Sequence, residues 1–325
     1  MFASAAVAAG LASAQTTPTG TGAVVIDTNL GYQGGQAAGT GMVLTSSGEI
    51  LTNNHVIRGA TSIKVTVPGT GHSYVAKVVG YDLTGDVAVL QATGATDLKT
   101  IATDGSASGL KVGESVTAVG NAGGTGSLTS STGTVTALGR AITVSDDQYG
   151  SESLAGLVET NAPLQPGDSG GPLLDAADKA IAMDTAAELS NGYSAGSTGP
   201  GYAIPINKAL AIARQIESRK ASTAVHVGGT AFLGVELAVL LRTPPGGSTA
   251  GAPIEDVTPG GPAAGAGLVG GDTITAIGGR TVSSPTALGA LILSKKPGAR
   301  VSVKYVDQAG VSVTASVRLA SGPPQ

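Results

Sequence analysis

The segment Gly167-Asp168-Ser169-Gly170-Gly171-Pro172 sets a serine hydroxyl between glycines. Glycine tolerates the tight, strained backbone that presents such a side chain from a turn. The turn also lets the N–H groups of Gly167 and Ser169, with Asp168 between them, point the same way. Converging N–H donors are what a tetrahedral oxyanion needs. A serine is a poor nucleophile until a base takes its proton, so a histidine must accompany it. The chain has three: His55, His72 and His226. His72 stands between Gly71 and Ser73 in a glycine-rich loop, and His226 lies in a stretch that reads as a linker. His55, in Leu51-Thr52-Asn53-Asn54-His55-Val56-Ile57, follows a strand into a polar corner. It is the candidate base, against the plainer reading of a hydrogen-bonded rim histidine. Such a base needs a buried carboxylate to set its tautomer. Asp86 directly precedes an apolar strand, which would hold it at an edge facing a cleft, whereas Asp82 reads as a turn residue capping its own backbone. Activity that depends on His55 should rise as its imidazole deprotonates, ordinarily near ~6.5.

Composition and pattern indicate the strands and helices around these residues. A chain of 325 residues suggests about two domains. Charged residues are 12% against a typical ~25%, 51 residues are glycine and aromatics are 3%, which together read as many short strands and turns. The expected fold class is therefore mostly β. Strands are expected at 23–27, 41–44, 62–67, 74–81, 87–91, 114–120 and 133–138, and around 173–174, 181–183 and 202–204. Helical spacing of Ile206, Leu210, Ala213 and Ile216 predicts a helix after Pro205. A second helix is expected over 284–295. Strict alternation over 301–305 and 311–317 predicts a hairpin turned at 307–310. The expected organisation is a flexible segment over 1–22, a first domain over 23–220, a linker over 221–230 and a second domain over 231–320.

Net charge −4 with no Lys/Arg cluster gives no electrostatic footprint for nucleic acid or an anionic membrane. Without cysteine there is no disulfide and no thiol nucleophile. Three histidines outside any HExxH spacing give no reason to expect a metal site, and hydrolysis by a serine needs no cofactor. Residues 1–14 are small and apolar and end in Ala12-Ser13-Ala14, an A-x-A pattern that reads as a signal-like leader. A secreted or cell-envelope protein is expected.

The order His55, Asp86, Ser169 is the chymotrypsin-type order, distinct from those of α/β-hydrolases and subtilisins. The segments TNNHVI, DLTGDVAVL, QPGDSGGPLL and GYAIPINKA resemble the protease domain of the HtrA (DegP/DegQ-like) family of trypsin-fold serine proteases. The C-terminal unit, with Phe232-Leu233-Gly234-Val235 and the run from Pro259 to Gly279, resembles that family's PDZ domain. The likeness covers nearly all of residues 23–320 and is strongest to secreted actinobacterial, PepA-type members. It implies two six-stranded β-barrels, with His55 and Asp86 on the first and Ser169 on the second. It implies an endopeptidase acting on unfolded or damaged proteins; a catalytically idle chaperone or PDZ scaffold is the alternative, and an esterase a weaker one. It also implies that Pro163 and Leu164, with Tyr202, Ala203 and Ile204, frame the specificity pocket. No charge is available there for Lys or Arg, so cleavage after small or medium aliphatic residues is expected.

Phe232-Leu233-Gly234-Val235 resembles the family's carboxylate-binding loop: a peptide C-terminus would add as a strand beside the segment that follows it, its carboxylate held by loop N–H groups, with Leu288 and either Leu291 or Ile292 lining the pocket for the terminal side chain. The plainer reading makes those helix residues ordinary core. Where the family usually has Asn before the serine, this chain has Asp168, whose side chain is expected to point to solvent. A homo-oligomer is possible. The stretch before Ala23 is short and lacks the aromatics through which family members trimerise, which argues against a trimer. Residues 185–199, polar and rich in Gly and Ser, are expected to form a mobile loop beside the site.

Overall fold

The computed structural model describes residues 15–16, 22–32, 34–105, 110–146, 150–185, 199–238 and 251–325. The leader-like opening, and most of the 185–199 segment expected to be a loop, lie outside the described residues.

A short strand, β1 (Gln15–Thr16), is followed by β2 (Ala23–Leu30), β3 (Gly35–Val43), β4 (Glu49–Thr52), the helical turn α1 (Asn54–Ile57), β5 (Ser62–Thr66), β6 (Ser73–Asp82) and β7 (Val87–Ala92). Hydrogen bonding runs β2-β3-β4-β7-β6-β5 and returns to β2, so these six strands close into a barrel without free edges. Alternation in β7 explains its uninterrupted apolar run. Ala88 and Leu90 join Val24, Ile26 and Ile50 inside the barrel, while Val87 and Val89 join Met183 and Ile204 in a core outside it.

The second barrel comprises β8 (Ser115–Gly120), β9 (Thr129–Asp146), β10 (Gly150–Thr160), β11 (Pro172–Leu174), β12 (Ala180–Thr185) and β13 (Gly201–Pro205). Its order, β8-β9-β10-β13-β12-β11, also closes, and β1 adds to β9. The interior is filled by small and β-branched residues such as Val116, Ala118, Val135, Val158 and Ala203, in keeping with the scarcity of aromatics. The expected strands did not include β10. Gly156, at φ 72, sits in a register shift against β9, so the apolar Leu154, Leu157 and Val158 lose the period of two.

The helix expected after Pro205 is α2 (Ile206–Glu217). Ile206, Ala209, Ala213 and Ile216 are its buried face and enter the core shared by both barrels. Within the stretch expected to be a linker, β14 (Val225–Val227) pairs with the end of β6, and β15 (Thr230–Phe232) pairs with β22 (Ala320–Gly322). The 221–230 stretch is thus part of the sheet structure, because its apolar Val225 belongs to the core beneath α2.

The C-terminal unit contains β16 (Val235–Leu237), β17 (Ala252–Val257), α3 (Pro262–Gly265), β18 (Thr273–Ile277), β19 (Arg280–Thr281), α4 (Pro285–Leu293), β20 (Arg300–Val306) and β21 (Ser312–Arg318). The sheet order is β16-β17-β18-β20-β21, with β19 beside β18. The expected hairpin is β20–β21, and Gly310 N–H closes its turn on Asp307 O at 2.9 Å. The second expected helix is α4, whose N-cap Ser284 accepts from Ala287 N–H.

Candidate active site

His55 lies in the first turn of α1, immediately after β4. Its backbone N–H donates to Asp86 Oδ1 at 2.9 Å, and its Nδ1 lies 2.8 Å from Asp86 Oδ2. The same carboxylate thus holds both the backbone and the ring of His55. Asp86 is buried, whereas the histidine side chain keeps 36% of its surface exposed. Asp86 adopts φ 51, a left-handed conformation that a non-glycine residue adopts only when its surroundings hold it. Asn53 supplies part of that hold, because its Nδ2 donates to Asp86 O at 2.9 Å. From the other barrel, Thr185 Oγ1 donates to Asp86 Oδ2 at 3.1 Å. With Nδ1 facing a carboxylate, the tautomer that leaves Nε2 as an acceptor is favoured.

The other candidates occupy different settings. Asp82 Oδ1 accepts from Thr84 N–H, Thr84 Oγ1 and Gly85 N–H, each at 2.9 Å, which is the capping role expected of it. His72 sits at the exposed turn between β5 and β6. His226, on β14, packs its ring on Tyr81 with centroids 5.0 Å apart.

The serine turn is built on close backbone approaches that only glycine permits. Gly167 has φ 99, and a side chain there would strike Asn121 O. Gly170 has φ 84, and a side chain there would strike Thr40 O and Thr52 Oγ1. Thr40, at the heart of β3, ties this turn to the first barrel. Its N–H donates to Ser169 O at 2.9 Å, and its Oγ1 donates to Gly167 O at 2.7 Å and accepts from Asn121 N–H. Gly39 lets the two halves meet: a Cβ there would lie 2.6 Å from Val56 Cγ1 on α1 and 3.3 Å from Ser169 O. The turn bearing Ser169 and the turn bearing His55 are therefore separated by one glycine.

Asp168 departs from expectation in two ways. Its side chain is buried, not solvent-facing, because the bare Gly120 backbone lets the turn settle against the end of β8. Burial pushes its carboxyl up to about 6, partly offset by the Gln165 N–H that donates to Oδ2 at 2.8 Å. Its own N–H donates to Gln165 O at 3.0 Å. Of the three residues grouped at the oxyanion turn, Asp168 thus has its N–H engaged with Gln165.

The residues expected to frame a pocket divide. Pro163 is exposed, and Leu164 packs on Gly201, where a Cβ would lie 2.8 Å from it. The side chains of Tyr202 and Ile204 enter the core between the barrels, and Ala203 enters the interior of the second barrel. Ala203 and Ile204 are wholly buried, so strand alternation takes their side chains away from any cleft. In the C-terminal unit Leu233 is buried, its carbonyl accepting from Ala263 N–H at 2.9 Å, and Gly234 takes φ 78. Phe232 and Val235 are half-buried. Leu288 is fully buried and Leu291 nearly so, both as core, while Ile292 is half-buried at the edge of the same cluster. Two residues that the sequence reading passed over hold the site together: Thr40, whose Gly-Thr-Gly setting was the available signal, and Thr185, at the start of a segment read as loop.

Residues 39–183 match the model of the trypsin-like peptidase domain, and residues 231–319 that of the PDZ domain. Serine protease PepD of Mycobacterium tuberculosis is 35% identical over 310 residues, covering 91% of this chain and 63% of PepD. Among solved structures, the HtrA-type protease AlgW with tripeptide superposes with a TM-score of 0.53 at 28% identity, covering 94% of this chain and 96% of AlgW. The chain belongs to the HtrA family of serine proteases. Within that family, the periplasmic pH-dependent serine endoprotease DegQ of Escherichia coli is 33% identical over 270 residues, covering 82% of this chain and 56% of DegQ. This HtrA chain thus spans about three-fifths of the length of the curated relatives it matches.

Proposed function

We propose that this chain is a serine endopeptidase with His55, Asp86 and Ser169 as its triad. Ser169 Oγ attacks the scissile carbonyl carbon as His55 Nε2 takes the hydroxyl proton. The imidazolium, held by Asp86, then gives that proton to the leaving amine, and water repeats the cycle on the acyl-enzyme. The N–H groups of Gly167 and Ser169 receive the oxyanion. The observation that carries this reading is the double grip of Asp86 on His55, at 2.9 and 2.8 Å, beside a glycine-built serine turn.

Its substrates, on this reading, are unfolded or damaged proteins, cut after small or medium aliphatic residues because Leu164 against Gly201 offers no charge. The PDZ unit binds peptide C-termini along β16, a reading supported by AlgW having been solved with a tripeptide and with a decapeptide. Work outside the cytoplasm is consistent with the periplasmic relative DegQ. Among the described residues no helix is long and apolar enough to cross a membrane.

The test is hydrolysis of casein by the wild type and by Ser169→Ala. Loss of a triad serine lowers kcat by around 10⁶, so only the wild type should cut. Equal cleavage by both would remove Ser169 from the mechanism. Cleavage by neither, with or without a C-terminal peptide for the PDZ unit, would favour the chaperone or scaffold reading.

A further inference from the structure

Asp184, the penultimate residue of β12, is fully buried, and neither of its carboxyl oxygens meets a hydrogen-bond partner. Its backbone does the reverse and clasps the serine turn. Gly170 N–H donates to Asp184 O at 2.8 Å, and Asp184 N–H donates to Gly171 O at 2.8 Å. The next residue, Thr185, is the donor to Asp86. Asp184 therefore lies beneath both halves of the proposed triad, and the triad uses none of its chemistry.

Its ionisable neighbour is Asp168, buried in the same turn one residue from the nucleophile. Burial first, and the charge of Asp168 second, hold the Asp184 carboxyl well above the usual carboxylate range. Among the described residues, the elements packed on Asp184 bring it no cation. β13 places Ala203 opposite it and Tyr202 opposite Thr185, and β3 and β4 contribute Thr40 and Thr52 to the turn. On α2, Lys208 Nζ donates to Ala155 O, Arg214 is exposed and Glu217 is influenced by Glu49 and Arg214. Asp86 lies beyond Thr185 and is engaged with His55.

We propose that Asp168 and Asp184 are positioning residues, a buried carboxyl pair that must keep at least one proton for the serine turn to hold its shape. Two buried like charges at one turn, with no counter-ion among the described residues, cannot both persist. When the last proton leaves to solvent, the pair relaxes by moving the 165–168 turn. That movement shifts the Gly167 and Ser169 N–H groups from where the oxyanion forms and lowers kcat while leaving KM in place. The effect on kcat rests on the endopeptidase reading above; the proton linkage of the pair does not.

The experiment compares kcat and KM against pH for the wild type, Asp184→Asn and the double variant Asp168→Asn/Asp184→Asn on a short peptide substrate. The wild type should show a falling alkaline limb in kcat that moves up by about one pH unit or more, or vanishes, in both variants. A wild-type limb that superimposes on that of the variants overturns the proposal. Thermal midpoints against pH, measured in a Ser169→Ala background, read the pair without activity and so separate its failure from failure of the triad reading. There the midpoint should fall as pH rises in the parent and stay flatter with Asn at 184; identical curves overturn the proposal even if a variant is inactive.

Discussion

Asp86 gathers three donors and a strained backbone at one buried carboxylate, which makes its neighbours as consequential as the residue itself. Asp86→Asn should keep the site's shape but disturb the tautomer of His55, lowering kcat on the order of 10⁴ in steady-state assays. Thr185→Ala removes one donor to the same oxygen and should lower kcat roughly tenfold with KM unchanged. Asp168 links the site to stability. Burial holds its carboxyl at about 6 in the folded chain against 3.8 for an ordinary aspartate, so the folded chain binds that proton more tightly than the unfolded chain does. The resulting stabilisation is fully present below pH 3.8 and is lost as pH rises through about 6. Asp168→Asn should flatten that loss, on the order of 3 kcal/mol, in urea denaturation followed from pH 4 to 7.

The elements work by close approach more than by bulk. The serine turn rests on β3, β4 and β8 through backbone contacts at Gly167 and Gly170, and a methyl group at either has nowhere to go. Gly167→Ala should abolish measurable cleavage and lower stability by about 1–3 kcal/mol, read by thermal denaturation. The helix α2 acts differently, as a wedge of buried aliphatics between the barrels. Ile216→Ala should cost about 2–5 kcal/mol in denaturant titration while leaving KM unchanged, because its side chain touches the core and not the cleft.

Across the whole molecule, the PDZ unit is tied to the first barrel at several points near the His55 turn. Tyr32 stacks on Phe232 with centroids 5.1 Å apart, and the buried Tyr81 hydroxyl lies 3.2 Å from Thr230 Oγ1. Gly59 N–H donates to Pro324 O at 2.9 Å, and Asn54 Nδ2 donates to Gln325 O at 3.0 Å. The stretch after β22 thus reaches the turn bearing His55, while Phe232, in the segment expected to hold a peptide carboxylate, reaches Tyr32. Tyr32→Ala should cost about 1 kcal/mol at that contact and broaden or split the calorimetric unfolding transition. A single unchanged transition would show that the stack does not couple the units.

The β-rich class, the helix after Pro205, the α4 helix and the β20–β21 hairpin are legible in the order of residues alone. In each of these, local periodicity and turn chemistry agree with the final packing. The same order of residues also singled out His55, Asp86 and Ser169, because few residue types can perform nucleophilic hydrolysis and this chain holds few of them. What lies between depends on contacts made in three dimensions. The bulge at Gly156 hid β10, and strand alternation sent Ala203 and Ile204 into cores. Val225 drew the expected linker into a sheet, and Thr40 and Thr185 became site residues. Asp168 and Asp184, sixteen positions apart by number, come to the same turn only because β12 folds back beneath it. Burial and charge proximity are properties of neighbours in space, and no local pattern along the chain encodes them.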